Sequence, residues 1–351
     1  MKILQLTVLL LAILLGLKTA EAQNSDGSDA STNNTDTASA SGMLNYTAPK
    51  TIEMMIGVNV QAGNGNMSGT KAITVFPTDW PEQKVTILAN NTAPFQAAFR
   101  DQPGNNKQLI LQASLIRANQ QVEATIRVRI EKSHIVGPDD PTSLDVPRAL
   151  PRDVKNYTQS SPYIDLTSSV LKKIVKETRA SEPLTKWDEI ETYYDWVRDN
   201  IEYQNGDLKS VSRALRDRTG DCEEMTSTFI ALCRVAKIPA RCVWIPNHCY
   251  AEFWMQDKEG NGYWFPCQLA GTRNFGSMPE YLPILQKGDR FKVPEKKNLE
   301  RYLADHLSAR RVTGTTDPKV VFIRQLLGDA AKIPAPDQGG AANAGPAGGQ
   351  N

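Results

Sequence analysis

The residues best placed to do chemistry are a cysteine and a histidine a short way apart in the chain, Cys222 and His248. Gly220-Asp221-Cys222-Glu223-Glu224 opens a helical pattern in which Met225, Phe229, Leu232 and Val235 recur at steps of 4, 3 and 3, until Ile238-Pro239 stops it. Cys222 therefore falls at or just before a helix N-terminus. Unpaired N–H groups and the helix dipole favour a thiolate there, so its pKa is expected to be lowered. Gly220 lets the chain turn sharply into the helix. A cysteine in this position is a candidate nucleophile. A buried structural cysteine that happens to open a helix fits the same residues.

The base follows on a strand. Arg241 to Trp244 and Cys249 to Trp254 are short β-type runs separated by Ile245-Pro246-Asn247, and His248 starts the second. Strand alternation puts His248, Tyr250 and Glu252 on one face and Cys249, Ala251 and Phe253 on the other. A third run, Tyr263 to Cys267, returns after the turn Asp257 to Gly262. The order is nucleophile on a helix start, base on one strand, and room for an orienting group on the next. A Cys–His pair needs such a third group to hold the imidazole tautomer.

Two kinds of element must position these residues. Trp187, Ile190, Tyr194, Val197 and Ile201 step by 3, 4, 3 and 4, which lines one face of a helix and reads as core. Leu208, Val211 and Leu215 begin a shorter helix that ends near Thr219-Gly220. Ahead of them, Thr51 to Glu131 reads as β. Ile52, Met54, Ile56, Val58 and Val60 alternate with other residues, as do Val122, Ala124, Ile126, Val128 and Ile130. Wet-faced strands with short connections suggest an antiparallel sandwich. Residues 137–160, rich in proline, read as an extended connector, His134 as a turn histidine, and Glu295 to Arg310 as a helical run carrying an exposed His306.

The ends are of another kind. Met1-Lys2, the apolar run Ile3 to Leu17 and Ala20-Glu21-Ala22 make residues 1–22 a signal peptide. The apolar run is shorter than the roughly 20 residues that span a bilayer. Residues 23–45 read as a disordered linker and 330–351 as a disordered tail. The 351 residues carry 40 Lys+Arg against 39 Asp+Glu, and loss of Lys2, Lys18 and Glu21 leaves 38 of each. Such a balance excludes nucleic-acid binding by bulk charge. The implied location is secreted or periplasmic, with no membrane span after cleavage.

Across Asp188 to Leu269 the sequence resembles the core of the transglutaminase-like superfamily, relatives of the papain-like thiol enzymes. The matching stretches are Tyr194-Asp195-Trp196-Val197-Arg198-Asp199-Asn200-Ile201, Arg218-Thr219-Gly220-Asp221-Cys222-Glu223-Glu224, Ala231-Leu232-Cys233-Arg234 and Ile238-Pro239-Ala240-Arg241. They continue with His248-Cys249-Tyr250-Ala251-Glu252-Phe253 and Tyr263-Trp264-Phe265-Pro266. The resemblance implies an α+β fold, helices packed on an antiparallel sheet over 161–329, preceded by a β-sandwich-like domain over 46–136. It also implies Cys222 as nucleophile and His248 as base. The family's third-strand W-x-P-x-D pattern here reads Trp264, Pro266 and Gln268, so an amide stands where the acid is usual. Gln268 would accept the imidazole N–H as the asparagine of papain-like enzymes does, orienting the ring without stabilising its charge.

The function so implied is acyl transfer or hydrolysis at a peptide or glutamine amide through a Cys222 thioester, hydrolysis favoured, without cofactor or metal. The alternative is a catalytically inactive scaffold that binds protein or cell-envelope partners, which the missing aspartate favours. Cys233, Cys242, Cys249 and Cys267 are an even set beside a free Cys222. Cys249 and Cys267 would meet across two strands as a disulfide, or all four are reduced core residues.

Overall fold

The computed structural model describes residues 42–181 and 185–332. The expected leader, most of the 23–45 linker and the tail from 333 lie outside the described residues. The six long N-terminal strands are β1 (Lys50–Gln61), β2 (Met67–Phe76), β3 (Gln83–Asn91), β4 (Gln96–Gln102), β5 (Asn106–Ile116) and β6 (Gln121–Lys132), flanked by the short pair Asn45–Tyr46 and Ile135–Val136. The two alternating stripes of the sequence meet residue for residue in β1 and β6. Ile52 pairs with Ile130, Met54 with Val128, Ile56 with Ile126, Val58 with Ala124 and Val60 with Val122. All ten side chains are buried in one apolar core or at its edge. Burying β-branched and long apolar side chains on one face is what drives these strands together.

Helices and a second sheet follow: α1 (Ser169–Ala180), α2 (Lys186–Asn200), α3 (Val211–Asp217) and α4 (Cys222–Val235). Then come β7 (Ala240–Ile245), β8 (His248–Gln256), β9 (Gly262–Gln268), β10 (Asn274–Phe275) and β11 (Gln286–Lys287). The sheet is antiparallel, in the order β10-β9-β8-β7-β11. The aromatic stripe on α2 is core, as expected: Trp187 packs edge-on against Phe253, Phe265 and Phe275. Among the described residues, no helix is long and apolar enough to cross a membrane.

The chain then goes back to the sandwich. Strands β12 (His306–Arg311) and β13 (Lys319–Leu327) complete its two sheets, ordered β12-β2-β5-β4 and β13-β1-β6-β3. The expected boundaries, 46–136 and 161–329, put these strands with the helices, whereas their pairing puts them with the sandwich. The helical run expected over Glu295 to Arg310 is also corrected: His306–Arg311 is a strand and the residues before it are irregular. Its charges are taken by distant partners instead of neighbouring helical turns. Glu295 binds Lys71 and Arg100, and Asp305 binds Thr74 and Arg324. His306 is half-buried.

Buried ions and amides tie the two bodies together. Lys287 Nζ lies 2.7 Å from Glu82 of the sandwich and 2.6 Å from Glu252 of β8, whose other oxygen takes Arg241 at 2.7 Å. The Asn106 side chain accepts from Lys287 N and donates to Lys287 O, and Gln83 does the same for Ile284. The helix-side face of the second sheet carries Cys249, Ala251 and Phe253, and the opposite face carries Tyr250, as alternation predicts.

Candidate active site

The start of α4 is built by its own sequence. Helix α3 ends on Arg218, whose left-handed φ of 60° closes its last turn. Thr219–Gly220 then runs parallel to Glu202–Tyr203 and delivers the chain to Asp221. Asp221 caps α4: its side chain accepts from Glu223 N, and Glu224 returns an oxygen to Asp221 N at 2.9 Å. This reciprocal box satisfies amides that the helix start otherwise leaves open. The other Glu224 oxygen takes Lys209 N at 2.7 Å. Gly220 is needed for the fit, since a β-carbon there would stand 2.4 Å from Glu224 Cβ. Cys222 is the first helical residue, with 7% of its surface exposed.

Two consecutive residues of β8 meet the Cys222 thiol, so His248, at the first position of the strand, does not keep to the Tyr250 face that alternation predicts for it. The β7–β8 hairpin pairs Ile245 with His248, and Asn247 in its turn takes a left-handed φ of 58°. The His248 imidazole and the Cys249 thiol both lie close enough to the Cys222 thiol to shift its pKa, and Cys249 Sγ donates to the Cys222 carbonyl at 3.5 Å. The Cys249 contact pushes the Cys222 thiol well above the usual thiol range, burial adds to that, and His248 pulls the other way. The expectation of a lowered pKa is therefore corrected. The helix start is buried and shared with a second thiol, and those two effects outweigh the imidazole.

Gln268 closes β9, buried, one residue beyond Cys267, which pairs with Ala251 of β8. Helix α2 holds this strand end: the Gln268 carbonyl accepts from Tyr194 Oη at 2.8 Å, and the Leu269 carbonyl accepts from Arg198 at 2.9 Å. All five cysteines are free and buried. Cys249 and Cys267 do not form the expected disulfide: both are free thiols, and Cys267 sits diagonally from Cys249, paired with Ala251. Cys249 instead touches Cys222 on one side and Cys242 on the other, while Cys233 and Cys267 lie together in the helix-side core.

Sequence reasoning missed two neighbours of this site. The Tyr203 phenol lies close enough that Cys222 adds to the effect of burial in raising its pKa. Arg301 arrives from the irregular segment before β12, 2.6 Å from Glu223 and over the Trp244 ring. A tyrosine directly after the α2 pattern was the available signal for the first. Arg301 is remote from Cys222 along the chain, and no local pattern announces it. Among the described residues, no group of three or more His, Cys, Asp or Glu side chains is arranged to hold a metal ion.

Comparison with known proteins places this site in context. The family model of the transglutaminase-like superfamily matches residues 172–269, which include the Cys222 helix, His248 and Gln268. A solved structure of a candidate cysteine protease from Cytophaga hutchinsonii is 17% identical, covers 80% of this chain and 92% of its own, and aligns with a TM-score of 0.53. That likeness is one of fold. A candidate protease from Parabacteroides distasonis is 11% identical over 62% of this chain and 48% of its own, with a TM-score of 0.19. No curated protein matches the sequence.

Proposed function

Since residues 172–269 are a domain of the transglutaminase-like superfamily, we propose that this chain is an exported thiol enzyme that acts on an amide. The observation that carries the reading is the contact between Cys222, at the first position of a capped helix, and His248. A thiol whose pKa is pushed up is neutral at rest, so His248 acts as general base rather than as partner of a standing thiolate. Cys222 Sγ attacks the amide carbon while His248 takes the thiol proton and delivers it to the leaving amine. The Cys222 amide, which the Asp221–Glu224 box does not take up, faces the developing oxyanion, and the Tyr203 phenol borders the same space. Water then resolves the thioester; an amine acceptor in its place would give amine transfer. The leader-like segment Met1 to Ala22 supports a secreted or periplasmic location.

The test is alkylation with a thiol reagent at neutral pH, located by mass spectrometry. Cys222 should label ahead of the other four cysteines. Its rate should climb about tenfold per pH unit below its raised pKa, because only the thiolate reacts. His248→Ala should slow the labelling. If Cys222 labels no faster than the others, the nucleophile reading fails. The inactive-scaffold reading, favoured by the burial of Cys222, then takes its place.

Gln268 is read as the positioning residue for His248. Gln268→Ala should lower kcat by between about 10²- and 10⁴-fold, the range spanned by losing acid–base efficiency and losing the correct tautomer. Gln268→Asp restores the family's carboxylate and should keep the activity while moving the acidic limb of the kcat/KM profile to higher pH. An unchanged pH profile in Gln268→Asp, together with full activity in Gln268→Ala, would remove Gln268 from the site.

A further inference from the structure

The mechanism uses Cys222 and His248 but leaves Cys249 unexplained. A buried thiol against a proposed nucleophile raises the nucleophile's pKa, so it hinders the reaction at rest. Cys249 Sγ donates to the Cys222 carbonyl at 3.5 Å, which sets its thiol beside that of Cys222, and Cys242 lies behind it on the neighbouring strand. Strand register explains why: Trp244 pairs with Cys249 and Cys242 with Ala251, so Cys242 and Cys249 are diagonal neighbours on the helix-side face. A thiol within contact distance of a reactive cysteine is what a resolving cysteine requires.

We propose that Cys222 and Cys249 form a reversible disulfide when the protein meets a peroxide, with Cys249 as the resolving thiol. The inference rests on the reading of Cys222 as nucleophile. In the first step the Cys222 sulfur attacks a peroxide oxygen as His248 takes the thiol proton. The O–O bond breaks, the leaving hydroxide receives that proton, and Cys222 sulfenic acid and one water result. In the second step the Cys249 sulfur attacks the Cys222 sulfur, the S–O bond breaks and a second water leaves. Two thiols lose two electrons in all, and hydrogen peroxide becomes two waters. The sulfurs must close from contact to about 2.05 Å, a movement of side chains on two elements already packed together. The bond takes the nucleophile out of action, shields it from irreversible oxidation, and returns it on reduction by a dithiol.

The experiment treats the full-length protein with a molar excess of hydrogen peroxide, enough for two oxidations per thiol, blocks free thiols and maps the unreduced digest by mass spectrometry. The expected product is a peptide pair linked through Cys222 and Cys249 that dithiothreitol separates. In Cys249→Ser the link is lost and Cys222 proceeds to sulfinic acid. If wild type gives Cys222 sulfinic acid without a link, or links Cys249 to Cys242, the proposal is overturned. Alkylation of a separate sample that has met no peroxide separates the two claims: selective labelling of Cys222 there, with no cross-link in the peroxide-treated sample, sinks this inference alone, whereas no selective labelling sinks the function with it. Should Cys249→Ser fail to fold, the wild-type cross-link decides the matter.

Discussion

Cys222→Ala should remove turnover of a peptide or glutamine amide by at least about 10⁴-fold, which is about 5 kcal/mol of transition-state stabilisation. Nothing else near the site replaces it. Cys249 is fully buried behind Cys222, and the Tyr203 hydroxyl is held with a raised pKa. The fold should survive, because the change removes one sulfur from a site that α4 and β8 already pack. A loss near 1 kcal/mol, or about 1–2 °C in Tm for a chain of this size, is expected. His248→Ala should match most of the kinetic loss without matching its cause. It leaves a nucleophile whose pKa has lost its only downward influence among the main ones, so residual activity should rise with pH where wild type levels off. Activity of Cys222→Ala within tenfold of wild type, with amine incorporation and peptide hydrolysis both assayed, would end the thioester mechanism.

Much of this site is legible in the sequence because its information is local. The 4, 3, 3 spacing behind Cys222 predicts a helix, and α4 begins on that residue. The turn at Pro246-Asn247 predicts a hairpin, and His248 starts its second strand. The stripes of β1 and β6 could even be paired by eye, since their five apolar residues match in register. What is not legible depends on distance along the chain. The pKa of Cys222 turns on Cys249, which arrives from a later strand and on the helix-side face. Weighing the helix start alone therefore gives the wrong sign. Likewise β12 and β13 complete sheets whose other strands lie near the opposite end of the chain, and Glu295 to Arg310 reads as a helix only while Arg100, Lys71 and Arg324 are out of view.

The largest structural effect should come from Asp289, a residue that takes no part in the chemistry. Arg234 lies on α4 with 0% of its side chain exposed, and Asp289 with 1%. The Asp289 carboxylate accepts two bonds from Arg234 Nη2, at 2.9 and 2.7 Å, and a third from Cys242 N of β7 at 3.3 Å. Arg234 also donates to the Ala240 and Gln159 carbonyls. The pair thus pins the far half of the nucleophile's helix to the sheet that carries His248. Asp289→Ala leaves a guanidinium buried without a counter-charge, which costs about 3–5 kcal/mol. By contrast, Arg273 pairs with Glu191 and Asp195 while 48% exposed, and Arg273→Ala should cost less than about 1 kcal/mol. Arg234→Met with Asp289→Leu should recover part of the loss by removing both charges. It cannot recover all of it, because the Ala240 and Gln159 carbonyls lose their donor. Urea unfolding of wild type and these three variants measures the differences, and a loss below about 1 kcal/mol in Asp289→Ala would show that water or another base reaches Arg234. Alkylation of Cys222 in the same variant then reports whether holding α4 on its sheet is what keeps the thiol against His248.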